Sequence, residues 1–163
     1  MATWQFDLHL LPTDTIVRRY GAVPIFISSE DFDSINWWAS DVAADSLAAG
    51  LSSILPMLSS WSPDVRIWGE NDGNRVDINV RGDSIAGIFV RVDVRAVSTV
   101  FLTGIVTLAR RHDLKARSSN GRLLSPTLRQ LMEAIYSSPA FRFVENPTAY
   151  LASLQHVTQS EEE

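Results

Sequence analysis

The stretch Val65-Arg66-Ile67-Trp68-Gly69-Glu70-Asn71-Asp72-Gly73-Asn74-Arg75-Val76-Asp77-Ile78-Asn79-Val80-Arg81-Gly82-Asp83-Ser84-Ile85-Ala86-Gly87-Ile88-Phe89-Val90-Arg91-Val92-Asp93-Val94-Arg95 decides the fold. Apolar residues take alternate places in three runs. Val65, Ile67 and Gly69 alternate with Arg66, Trp68 and Glu70; Val76, Ile78 and Val80 with Asp77, Asn79 and Arg81; Ile88, Val90, Val92 and Val94 with Phe89, Arg91, Asp93 and Arg95. A period of two is the mark of a strand with one buried face. Turn chemistry at Asn71-Asp72-Gly73-Asn74 and at Gly82-Asp83 separates the runs. Such short connections demand an antiparallel meander, because parallel neighbours need a crossover of about a dozen residues or more. One face is then aliphatic and belongs under helices, while the other presents Trp68, Asp77, Asn79, Arg91, Asp93 and Arg95 as a polar sheet face.

Toward the N-terminus, Trp4, Phe6, Leu8 and Leu10 alternate with Gln5, Asp7 and His9, which predicts a further strand over 3–11. Pro12-Thr13-Asp14 opens a short helix carrying Ile16, Val17 and Tyr20, and Gly21 stands where a helix stops. Val23 to Ser40 has no period and reads as a long ordered connection, a kind of segment that often carries function. Leu47, Leu51, Ile54, Leu55 and Leu58 predict a second helix over 41–58, ended or kinked by Pro56.

Beyond the meander, Val97, Val100, Phe101, Gly104, Ile105, Leu108 and Ala109 form the clearest helical stripe in the chain. Leu102 and Val106 lie off it, so this helix should be covered on a second side. Residues 114–124 form a short hairpin or an edge strand around Ser119-Asn120-Gly121. Ser125-Pro126, Ser138-Pro139 and Asn146-Pro147 each pair a capping side chain with proline at a first helical position, so the last third is expected to be helical. The expected architecture is α+β: an antiparallel sheet of about four strands, the first strand plus the three-stranded meander, packed on one face by helices. A single domain spans 1–157, and the acidic tail 158–163 is too polar to pack.

Composition narrows function mainly by exclusion. The chain has 163 residues, 45% of them hydrophobic, enough for one sizeable core and too many for a disordered or fibrous chain. With no cysteine, disulfides, thiolate catalysis and Cys-based metal sites are excluded. No apolar run approaches the roughly 18 residues of a membrane span, and the start does not read as a signal peptide, so the cytoplasm is the expected compartment. The net charge of −5 argues against a general nucleic-acid binder. That charge is unevenly spread: residues 1–60 hold seven acids against two arginines, whereas 61–160 hold nine acids against twelve bases. Glu30, Asp31, Asp33, Asp41 and Asp45 fall in a span free of Lys and Arg, around Phe32, Trp37 and Trp38.

There is no P-loop, no GxGxxG after a strand, no GxSxG and no HExxH. His9, His112 and His156 are not spaced as metal ligands, and no metal or other cofactor is expected. A catalytic alternative uses Asp7 and His9, on one side of the first strand, with Asp77 and Asp93 of the polar face, as a general-base or metal-dependent cluster. A polar sheet face accounts for the same residues without catalysis. In Arg91-Val92-Asp93-Val94-Arg95, alternation sets Asp93 between two guanidinium groups, either as a structural ion-pair ladder or as an anion- or partner-binding surface. Trp4 is expected in the core and Trp61 packed under its loop. Trp37 and Trp38 are neighbours that cannot both face one core from a helix or strand, so at least one should be exposed or plug the loop.

The Trp37-Trp38 pair, Trp68-Gly69 before a hairpin, Arg91-x-Asp93-x-Arg95 before an apolar helix, and Ser138-Pro139-Ala140-Phe141-Arg142-Phe143-Val144-Glu145-Asn146-Pro147 resemble small bacterial α+β immunity proteins encoded beside polymorphic toxins. The likeness spans residues 4–155. It implies a non-enzymatic inhibitor that binds a cognate protein toxin and blocks its active site; a monomer or homodimer is expected. Acidic, aromatic loops suit basic clefts, so Glu30, Asp31, Asp33, Trp37 and Trp38 are the expected partner-binding face. A third alternative is an oligomeric structural component that self-associates through strand 66–70 or the Leu102 and Val106 surface.

Overall fold

The computed structural model describes residues 2–39 and 44–160, with side chains described through Leu154. The strands are β1 (Gln5–Pro12), β2 (Met57–Leu58), β3 (Val65–Gly69), β4 (Arg75–Arg81), β5 (Ser84–Asp93), β6 (Leu114–Ser118) and β7 (Leu123–Leu124). The helices are α1 (Thr13–Tyr20), α2 (Ser29–Ser34), α3 (Ala44–Ser52), α4 (Thr99–Arg111), α5 (Leu128–Tyr136), α6 (Pro139–Glu145) and α7 (Pro147–Ser160), with a 3₁₀ turn at Val94–Ala96. The class is α+β, as expected.

The sheet is larger than the sequence indicates. It has seven antiparallel strands in the order β2-β3-β4-β5-β1-β6-β7, not about four. The meander β3-β4-β5 is present, and β1 lies beside β5, with Leu8 opposite Val90. Of the three extra strands, β6 and β7 are the hairpin read over 114–124, here joined to the main sheet, and β2 comes from a place where periodicity is silent. β2 follows Pro56 in a segment that reads as helix: α3 stops at Ser52, short of the expected 58, and the Pro56 carbonyl accepts from the Gly69 amide at 2.8 Å. β6 pairs with the free side of β1, so β1 is interior. Both outermost strands have two residues, which leaves little edge for another chain to extend. Strand 66–70 is therefore not an edge, and the self-association read from it loses its basis: β3 is paired on one side with β2 and on the other with β4.

Residues opposite one another in a ladder share a face. Leu8, Val90, Val76 and Trp68 form one row across the sheet, and Leu10, Ile88 and Ile78 the next; all are buried. α3 lies over this face: the indole Nε1 of Trp68 donates to Ser52 Oγ at 3.0 Å, and Arg66 reaches Asp45 at 2.8 Å. Trp68 thus belongs to the aliphatic face and Ile67, opposite Asp77, to the polar one, the reverse of the expectation. The short run of β3 has apolar groups on both sides and so gives no phase of its own.

α4 buries Phe101, Leu102, Ile105, Val106, Leu108 and Ala109, so the second covered side is real and the Leu102 and Val106 surface is already used inside the chain. Val100 is 81% exposed, because the helix begins only at Thr99 with Ser98 as its cap. Gly21 ends α1 at φ 78°, in the left-handed region that favours glycine. α6 and α7 start as read, with Ser138 Oγ accepting from the Phe141 amide and Asn146 Oδ1 from the Ala149 amide. α5 starts later than Ser125-Pro126 suggests: Thr127 is its cap, accepting from the Gln130 amide. α7 runs to Ser160, past Val157 where the sequence reading ends the packed body; Glu161 to Glu163 lie outside the described residues.

Candidate functional site

The second sheet face gathers most of the chemistry-bearing residues singled out above. Asp7 lies opposite Arg91, and His9 lies opposite Phe89, which in turn lies opposite Asp77. Three arginine–aspartate pairs occupy the face and its end. Arg75 donates to both oxygens of Asp77, Nε at 2.6 Å and Nη2 at 2.9 Å. Arg95 donates to both oxygens of Asp93 at 2.9 and 2.8 Å and also reaches the Asp72 carbonyl. Arg91 Nε stands 4.0 Å from Asp7 Oδ1. Asp93 is therefore not bracketed by two guanidinium groups. β5 ends at Asp93, which caps the 3₁₀ turn by accepting from the Arg95 amide, and Arg91 turns to Asp7 instead. The hydrogen bonds from Arg95 hold the Asp93 carboxyl below the usual carboxylate range. These are the contacts of an ion-pair ladder.

The proposed catalytic quartet does not converge. The Phe89 position separates His9 from Asp77 in the row, and the His9 ring lies between Phe32 at 4.7 Å and Phe89 at 5.2 Å. Burial and the neighbouring Arg117 lower the His9 pKa, against a smaller pull from Asp33. Burial pushes the Asp7 carboxyl up despite Arg91. Among the described residues, no three His, Asp or Glu side chains are placed to hold a metal ion.

A strap formed by residues 21–39 roofs part of this face. Its start is stitched to the β6–β7 turn, where the Leu123 amide donates to the Ile25 carbonyl and the Ile27 amide to the Gly121 carbonyl, both at 2.8 Å. Arg117 of β6 is buried, donates Nε to the Ile27 carbonyl at 3.1 Å, and sets its guanidinium 4.5 Å from the centre of the Phe32 ring. The Trp37 ring stacks on Phe32 and its Nε1 donates to the Phe32 carbonyl at 2.9 Å.

Trp37 and Trp38 are each only 5% exposed. The expectation that at least one is exposed or plugs the loop resolves to burial of both, because they sit in a turn, where neighbours are free of helix and strand geometry. Asp31 is half-buried and accepts from the Tyr20 hydroxyl at 2.9 Å, whereas Glu30 and Asp33 are exposed. Asp41 lies outside the described residues. The five residues read as one binding face thus divide into two inner anchors, one tethered acid and two surface acids.

A different part of the chain displays an aromatic. Trp61, expected under its loop, is 80% exposed in the β2–β3 connection, and Met57 of the adjoining edge strand is 60% exposed. The connection is braced by its own serines. Ser60 Oγ donates to the Ser62 carbonyl at 2.8 Å, and Ser62 Oγ accepts from the Asp64 amide at 3.2 Å. The Asp64 carbonyl accepts from Val80, and the Asp83 carbonyl from Ala44, so Asp64, Asp83 and Asp45 gather at the same end of the sheet, all exposed. Asp45 is paired with Arg66; Asp64 and Asp83 enter no ion pair among the described residues. The only sequence signal for this surface is a tryptophan set among serines and proline with no apolar neighbour in register.

No helix among the described residues is long and apolar enough to cross a membrane. No family model matches the chain, and neither a curated protein nor a solved structure matches it.

Proposed function

We propose that this chain is a protein-binding module that captures a basic partner on the Trp61 end of its sheet, acting in the cytoplasm as an immunity protein against a cognate toxin. The observation that carries this reading is the exposed indole of Trp61, on a loop braced by its own hydrogen bonds at the end of the sheet where Asp64 and Asp83 are exposed and in no ion pair among the described residues. Tryptophan is among the residues that dominate binding energy at interfaces, and a loop ordered before docking loses less entropy on binding. The carboxylates add steering toward positive charge. The resemblance noted in the sequence supports the toxin as partner class; the Trp61 surface supports the mode of capture.

The test is co-expression with the product of the adjoining gene in a host that product harms. Growth rescued by the native chain, and lost with Trp61→Ala or with Asp64→Lys plus Asp83→Lys, is the expected result. For Trp61→Ala the cost should be 2 kcal/mol or more, about 30-fold in affinity by titration of the purified pair. Rescue unchanged by both variants overturns the surface, and a neighbouring product that is harmless or not neutralised overturns the toxin reading.

A further inference from the structure

At the opposite edge of the sheet from Trp61, a cleft of about 510 Å³ opens between the N-terminal segment, the β6–β7 turn and the α5–α6–α7 array. That volume lies within the range of roughly 300–1,000 Å³ typical of small-molecule sites. In a chain of net charge −5, no aspartate or glutamate lines the cleft, while Arg122 and Arg142 both do. Neither arginine enters an ion pair among the described residues.

The stems of both arginines rise from braced backbone. Arg122 follows Gly121, which has φ 90°, and a side chain at Gly121 would strike the Phe26 ring and the Ile27 carbonyl of the strap. The Arg122 amide donates to Asn120 Oδ1 at 3.2 Å and its carbonyl accepts from the Ser118 amide at 2.9 Å. Arg142 lies in α6, and its carbonyl accepts from the Asn146 amide at 3.1 Å. Phe143 and Tyr150 complete the lining as an edge-to-face pair with ring centres 5.9 Å apart.

We infer that this cleft binds a nucleoside monophosphate, its phosphate taken by Arg122 and Arg142 and its base laid against the Phe143–Tyr150 pair. A planar guanidinium matches phosphate oxygens in two-point contacts, and unpaired arginines give up no existing ion pair to make them. Aromatic rings accept a base face in a sequence-tolerant way. A bounded cleft whose lining includes two arginines and an aromatic pair suits a compact anion carrying a ring better than an extended acidic peptide. The inference is independent of the Trp61 surface, which lies beyond the other edge of the sheet.

The experiment titrates the full chain by calorimetry with AMP, with inorganic phosphate, with adenosine and with a hexaglutamate peptide. Saturable AMP binding, tighter than either half-molecule, is expected. Arg122→Gln plus Arg142→Gln should weaken it at least tenfold, and Arg18→Gln on α1 should leave it unchanged. Phe143→Leu should weaken AMP while leaving phosphate as it was. Both arginines are exposed and unpaired, so the double variant should keep the native circular dichroism and Tm. No saturable AMP binding at millimolar concentration, or binding indifferent to the double substitution, overturns the proposal. Hexaglutamate binding tighter than AMP overturns it in favour of a peptide groove.

Discussion

The two faces of the sheet are covered by different means. On one, Leu8, Leu10, Val76, Ile78, Ile88, Val90 and Trp68 lie buried against α3 and its neighbouring helices, an apolar layer held by area removed from water. On the other, Asp7 and Arg117 are buried, His9 is wedged between rings, and the cover is an irregular strap whose one helix, α2, has six residues. Arg117 Nη2 and Trp38 Nε1 carry no hydrogen bond to another described residue, and Asp7 Oδ1 and Arg91 Nε meet only as an ion pair at 4.0 Å, too far for a hydrogen bond. Buried polar atoms without partners cost about 1–3 kcal/mol each. The helical face should therefore set global stability, while the strapped face opens first.

Trp68→Ala tests the stronger side. It removes a fully buried indole and its bond to Ser52, and should cost about 3–5 kcal/mol. In a chain of this length each kcal/mol is worth about 2–4 °C, so calorimetry should show Tm lower by about 10 °C. Gly121→Ala should cost less, about 2–3 kcal/mol, because the new methyl meets Phe26 and the Ile27 carbonyl at a left-handed φ. The damage should concentrate where the strap joins the β6–β7 turn. Phe32→Ala strips the half-buried ring from His9, Arg117 and Trp37, and should cost about 1–2 kcal/mol. Hydrogen exchange after Phe32→Ala should lose protection over residues 27–39 while β4 and β5 keep theirs; loss of protection in all three would make the two faces one cooperative unit.

This asymmetry also explains what the sequence discloses. Period-two alternation in β4 and β5 and the stop at Gly21 follow from local rules, and they are legible. The two-residue strands β2 and β7 hold too few residues to show a period, and nothing local joins the hairpin read over 114–124 to β1, so the sheet reads as four strands. The polar face of the meander reads as open surface because alternation reports which residues are apolar and is blind to a roof supplied by residues 21–39. For the same reason the acids of the strap are found by charge alone, but the inward turn of Trp37 and Trp38 and the outward turn of Trp61 depend on loop conformation, which composition does not encode.

The smallest and most specific effect distinguishes Asp7 from His9, two residues apart on β1 and on the strapped face. For His9, burial and Arg117 lower the folded pKa below 6.5, so in acid the unfolded chain binds more protons than the folded one. Its contribution is full above pH 6.5 and is lost as pH falls from there toward the lowered folded value. For Asp7, burial raises the folded pKa above 3.8, so the folded chain binds more protons in the interval above that value. Stability then declines as pH rises through that interval. Urea melts across pH 4–8 should therefore show the acid-side loss flattened by His9→Leu, and the decline just above pH 3.8 removed by Asp7→Asn. A helical-face substitution such as Ile88→Val should lower stability by about 1 kcal/mol at every pH, because no titrating group answers to it. A pH slope unchanged by His9→Leu would mean that the strap does not hold the imidazole away from water, and the contrast between the faces would reduce to packing alone.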